Sequence, residues 1–95
     1  MLKKLEIVYT QKMKRDVRFM VKRGKDITKL TVVLDLLSYQ KPMPAKYKDH
    51  KLKGDQKDFR ECHIEPDWLL IYQIFEKELI LSATRTGTHS DLLKR

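Results

Sequence analysis

Trp68-Leu69-Leu70-Ile71-Tyr72-Gln73-Ile74-Phe75 is the stretch on which the fold turns. It is rich in β-branched and aromatic residues and apolar on both faces, as expected of a strand in the middle of a sheet. On its N-terminal side, from Phe59, the pattern has a period of two. Cys62 and Ile64 face the core, and Phe59, Glu61 and His63 face the other way. Glu65-Pro66-Asp67 breaks the chain between these two strands. On the C-terminal side, Glu76-Lys77-Glu78 makes a polar hairpin turn and Leu79 to Thr84 returns as the next strand. Gly87 ends the regular structure and leaves a short tail.

The first half of the chain reads differently. Leu2 to Val8 alternates loosely, with Lys3 and Lys4 guarding what is expected to be a strand near a sheet edge. Between Gln11 and Arg23, Met13, Val17, Met20 and Val21 recur at helical spacing, and Gly24 is placed to stop the helix. Asp26 is placed to cap a second helix carrying Ile27, Leu30, Val33, Leu34 and Leu37 on one side. Pro42 and Pro44 then hold an extended loop leading to Tyr47-Lys48-Asp49-His50, and Gly54-Asp55 marks a turn. The expected fold is α+β in the order β-α-α-β-β-β. It has a mainly antiparallel four-stranded sheet, a helical hairpin on one face and the other face open. At this length, residues 1–95 are expected to form one domain whose site is a surface groove, not a deep pocket.

Charge is strongly polarised along the chain. Residues 1–53 carry fifteen Lys and Arg against five Asp and Glu, whereas residues 54–95 carry six against eight. An excess of this kind favours a polyanionic partner, because neutralising phosphates releases condensed counterions. The series Lys12, Lys14, Arg15, Arg18, Lys22, Arg23 reads either as the wet face of a helix or as a surface that tracks phosphates. One cysteine, Cys62, rules out an internal disulfide and fits a cytoplasmic protein. No apolar run is long enough to cross a membrane, and the first ten residues lack the features of a signal peptide.

All three histidines, His50, His63 and His89, fall in the second half on separate elements, 13 and 26 residues apart. They can act together only if the fold gathers them at one end of the sheet. Imidazole, with an ordinary pKa of about 6.5, serves both as base toward a ribose 2′-hydroxyl and as acid toward the leaving 5′-oxygen. A cation must also stabilise charge on the phosphoryl oxygens, and Arg85 and Arg60, at strand ends, are the candidates. Such a scheme needs no metal and no cofactor. A zinc site of the three histidines and Asp67 lacks any close pairing such as His-x-x-x-His. Cys62 reads as a small core residue, while Trp68 reads either as core or as a border of the site beside Asp67.

Taken in order, Tyr47-Lys48-Asp49-His50 with Leu52 and Gly54, then Arg60, His63, Glu65-Pro66-Asp67-Trp68, Leu70-Ile71-Tyr72, and Arg85-Thr86-Gly87-Thr88-His89 resemble the YafQ branch of the RelE toxin superfamily. The resemblance spans almost the whole chain and includes the element order. It implies a toxin of a bacterial type II toxin-antitoxin module that cuts mRNA in the A site of the 70S ribosome. It further implies silencing by an acidic, DinJ-like antitoxin, with operator DNA contacted only through that complex. By the same resemblance His50, His63, Asp67 and His89 are catalytic. His89 is then the general acid, Asp67 helped by His50 or His63 is the base, Arg85 stabilises the phosphate and Trp68 adjoins the site. The basic residues Lys12, Arg15, Arg18, Lys22 and Arg23 would grip ribosomal RNA. The family tends to carry an aromatic residue after the terminal histidine, where this sequence has Leu92 and Leu93. Leu93 can still pack against a base, so an altered codon preference or rate is expected before loss of activity. The competing readings are a non-catalytic RNA- or protein-binding module of the same fold and a metal-dependent nuclease.

Overall fold

The computed structural model describes residues 2–93. Its strands are β1 (Glu6–Tyr9), β2 (His50–Lys51), β3 (Arg60–Glu65), β4 (Trp68–Phe75) and β5 (Ile80–Gly87). The helices are α1 (Gln11–Lys22), α2 (Ile27–Ser38) and a short α3 (His89–Leu93). The five strands form one sheet in the order β1-β5-β4-β3-β2, so Trp68–Phe75 is indeed the middle strand. All neighbours are antiparallel except β1, which runs parallel to β5 at the sheet edge.

Three details differ from the sequence reading. The sheet has five strands, not four, because His50 and Lys51 pair with Glu61 and Arg60, and two residues are too few to leave a periodic signature. β5 continues past Thr84 to Gly87. Beyond it the chain forms α3 and not a tail, because Thr88 and Asp91 cap each other's backbone.

Both longer helices start and stop where their side chains dictate. Thr10 Oγ1 accepts the Met13 N–H at 3.0 Å and donates to the Thr84 carbonyl at 2.7 Å, so a single hydroxyl caps α1 and ties it to β5. α1 closes on Gly24, whose φ of 84° suits a residue without Cβ, with Lys25 N–H returning to the Met20 carbonyl. Asp26 caps α2 through the Thr28 N–H. Met13 and Met20 of α1 join Leu30, Val33, Leu34 and Leu37 of α2 over Cys62, Leu70, Tyr72, Leu81 and Ala83 of the sheet. Each such fully buried large side chain contributes about 1.5–3 kcal/mol, so this layer is the main source of stability.

Register decides what the other face presents. Between Ile71 and Tyr72 the β4–β5 pairing slips, with Ile71 opposite Arg85 and Tyr72 opposite Ala83, so Thr84 is the inserted residue. That insertion puts Arg85 in one cross-strand row with Ile71, Glu61 and His50. The adjoining row is His63, Leu69 and Gly87. Two rows of an open sheet face thus gather residues separated by up to 37 positions in the sequence.

Candidate active site

His63 sits between the other two imidazoles. Its ring centroid is 6.4 Å from that of His50 and 5.8 Å from that of His89. His50 arrives on the short β2, where Nδ1 donates to the Lys48 carbonyl at 2.8 Å and Nε2 lies 3.4 Å from Glu61 Oε1. His63 approaches the Pro66 carbonyl with Nδ1 at 3.3 Å, across the turn that joins β3 to β4. His89 opens α3, and its backbone N–H and its Nδ1 both reach Asp67 Oδ1, at 2.9 and 2.6 Å.

The structure therefore brings His50, His63, Asp67 and His89 together, and adds Glu61. Two imidazoles are each backed by a carboxylate, with the third between them. Asp67 and His89 are both exposed, and the His89 N–H, followed by the ring, holds the Asp67 carboxyl below the ordinary range. A carboxylate bound in this way orients a ring better than it accepts a proton. This favours an orienting role for Asp67 over the basic role expected of it. Nδ1 of His89 carries the proton toward Asp67, which leaves Nε2 without a partner among the described residues. Glu61 escaped sequence reading although alternation puts it on the face of His63. A lone carboxylate on a strand gives no further signal.

The arginines divide. Arg85 stands at the rim on the histidine face, with Nε and Nη2 on Asp16 of α1 at 2.7 and 3.3 Å and Nη1 unpaired among the described residues. Arg60 does not lie beside the histidines. Strand alternation turns it to the helix face, where Nε and Nη2 donate to Asp49, and the Tyr72 hydroxyl donates to the same carboxylate. Trp68 likewise does not border the site. It is completely buried, its Nε1–H donates to Thr86 Oγ1 at 2.9 Å, and that hydroxyl donates to the Leu69 carbonyl at 2.6 Å. Leu93, at the end of α3, is 73% exposed and open to contact.

Among the basic residues of α1, Lys12, Arg15, Arg18 and Lys22 are exposed. Arg23 is not free for phosphate, because both of its Nη atoms are held by Asp91 at 2.6 and 2.8 Å. A groove of about 610 Å³ runs from His63 between α2 and the 3-10 turn Ala45–Tyr47, lined by Lys29, Val32, Lys46, Lys48 and Pro66. Cys62 is buried, and burial pushes its thiol up to about 12, with Asp49 and Glu61 adding to the effect, so it is no nucleophile. Among the described residues no group of three or more His, Cys, Asp or Glu side chains is arranged to hold a metal ion.

Comparison with known proteins bears on this arrangement. The family described as bacterial toxin of type II toxin-antitoxin system, YafQ, matches residues 5–94. The mRNA interferase toxin YafQ of Escherichia coli K12 is 44% identical over 88 residues, covering 92% of this chain and 94% of the relative. The crystal structure of the Escherichia coli DinJ-YafQ toxin-antitoxin complex superposes with a TM-score of 0.85 at 43% identity, over 95% of this chain and 98% of that one. A metal-bound toxin from Helicobacter pylori superposes at 0.89 with 46% identity, over 94% and 99%. The fold, the cluster and these likenesses define a class, the toxins of bacterial type II toxin-antitoxin systems. Within it, this chain belongs to the YafQ family.

Proposed function

We propose that this chain is an mRNA endoribonuclease, active in the cytoplasm on message held in the ribosomal A site and neutralised by an acidic antitoxin. The observation that carries the reading is the gathering of three imidazoles on one open face, with His89 oriented by Asp67. His63 acts as the base, since its Nε2 makes no hydrogen bond among the described residues and its ring lies beside that of His89. It takes the proton of the ribose 2′-hydroxyl, whose oxygen bonds to the adjacent phosphorus. The bond from phosphorus to the 5′-oxygen breaks, and His89 Nε2 delivers a proton to that oxygen. The products are a 2′,3′-cyclic phosphate and a 5′-hydroxyl end. Arg85 turns Nη1 toward the phosphoryl oxygens as charge builds there. His50, between the Lys48 carbonyl and Glu61, lies within reach of the same phosphate.

The groove beside His63 supplies lysines for the strand on one side of the scissile bond, and Leu93 offers an apolar surface for a base on the other. Lys12, Arg15, Arg18 and Lys22 face outward for ribosomal RNA. The same positive surface suits an acidic antitoxin segment, which would also supply the DNA contacts of an operator complex.

The test is a primer-extension map of a translated message with and without ribosomes, repeated in chelator and with 2′-deoxyribose at the cut site. Cleavage that requires ribosomes, ignores chelator and stops at the deoxy position is the expected result. Loss of cleavage in chelator would favour a metal-dependent nuclease, a necessary arm given the metal-bound Helicobacter pylori relative. Cleavage through a deoxy position would overturn the 2′-hydroxyl chemistry.

A further inference from the structure

We propose that Arg23 and Asp91 form a clamp that holds His89 against Asp67, making them positioning residues for proton transfer; the inference rests on the role of His89 given above. α3 has five residues, far below the roughly 12–15 at which an isolated helix becomes even marginal, so its position must be imposed from outside. Two anchors impose it. One is Asp67, at the β3–β4 turn, which takes both donors of His89. The other is Asp91, two residues further along the same helical turn.

Asp91 is used completely. Its Oδ2 accepts the Thr88 N–H at 2.9 Å and Arg23 Nη1 at 2.6 Å, its Oδ1 accepts Nη2 at 2.8 Å, and its own N–H donates to Thr88 Oγ1 at 3.1 Å. Arg23 is braced in turn, since its guanidinium lies 4.1 Å over the Phe19 ring and Nη1 sits 3.7 Å from Met20 sulfur. The planar two-bond pairing fixes direction as well as distance. Close by, Gly87 leaves the room Asp91 needs, for a Cβ there would meet Asp91 Cβ and Oδ2 at 3.0 Å. The end of α1 is thus joined rigidly to the segment that presents the acid. An ion pair this near the surface contributes only modestly to global stability, so in variants that stay folded its loss should be read chiefly in rate.

The experiment compares Asp91→Asn, Arg23→Gln and the double variant in the full chain, by steady-state cleavage of a translated message and by ¹⁵N-edited NMR of the histidine rings. The expected result is a fall in kcat of about tenfold or more at unchanged KM, as small misplacements of a reacting group produce. The double variant should be no worse than the worse single one. In the same variants the signal of the Nδ1–H of His89, slowed in exchange by Asp67, should broaden or vanish while the folded spectrum persists. Wild-type kcat, or an unchanged Nδ1–H signal, would overturn the clamp. If the native chain cuts no RNA, the nuclease reading fails. The NMR arm still decides the clamp, with loss of the signal in Asp91→Asn supporting it and retention refuting it.

Discussion

One carboxylate oxygen, Asp67 Oδ1, receives two donors from a single residue, and this fixes both where the His89 ring sits and which nitrogen it offers. Replacing His89 with Ala should lower cleavage by about 10²- to 10⁴-fold, the usual contribution of a general acid. Asp67→Asn keeps the size but loses the charge. It should slow cleavage while leaving the urea midpoint unchanged, because the side chain is largely exposed. An Asn variant that cleaves at the native rate would remove Asp67 from the mechanism. Trp68 gives the opposite pattern. Trp68→Phe strips the donor from Thr86 and should cost about 1–3 kcal/mol in urea unfolding, with cleavage per folded molecule retained. The residues of the cluster were legible in sequence because histidine is scarce and each stands in a motif. Their partners were not, since Glu61 and Asp91 are ordinary surface carboxylates until β3 and α3 bring them opposite His50 and Arg23.

Among the elements, the helices and the middle strand announce themselves through periodicity, and Thr10 shows how much a boundary residue can add. Thr10→Ala loses the cap of α1 and the bond to Thr84, and should destabilise the protein by about 1 kcal/mol or somewhat more, read as a lower urea midpoint. An unchanged midpoint would mean that the cap is replaced by water at no cost. What periodicity could not reveal is β2, two residues long, and the slip opposite Thr84. Both depend on pairing between distant segments, which leaves no trace in local sequence. The slip matters most for the candidate site, because it turns Arg85 onto the histidine face. Arg60, on the regular part of β3, stays on the other side with Asp49 and Tyr72.

For the whole molecule, charge sets two expectations. Several carboxyls are held below their ordinary range: Asp91 by Arg23, Glu65 by Lys25 and then Lys29, and Asp26 by Thr28. A depressed carboxyl lends stability that is fully present above its unfolded pKa of about 4 and is lost as pH falls toward the folded value. Thermal midpoints should therefore be flat near neutrality and decline below about pH 4, more shallowly in Asp91→Asn. An equally steep decline in that variant would mean that other groups govern acid unfolding. Charge reversal at Lys12, Arg15, Arg18 and Lys22 should weaken ribosome association and flatten its salt dependence, measured by co-sedimentation at increasing salt. The sheet order carries a further consequence. β1 is made before β5, its one sheet neighbour among the described residues, and α1 is tied to Thr84, Arg85 and Asp91, some 70 residues downstream. A nascent chain therefore holds its first strand unpaired, and its first helix packed only on α2, until β5 emerges. The histidine cluster likewise forms only after His89 has followed β5 out.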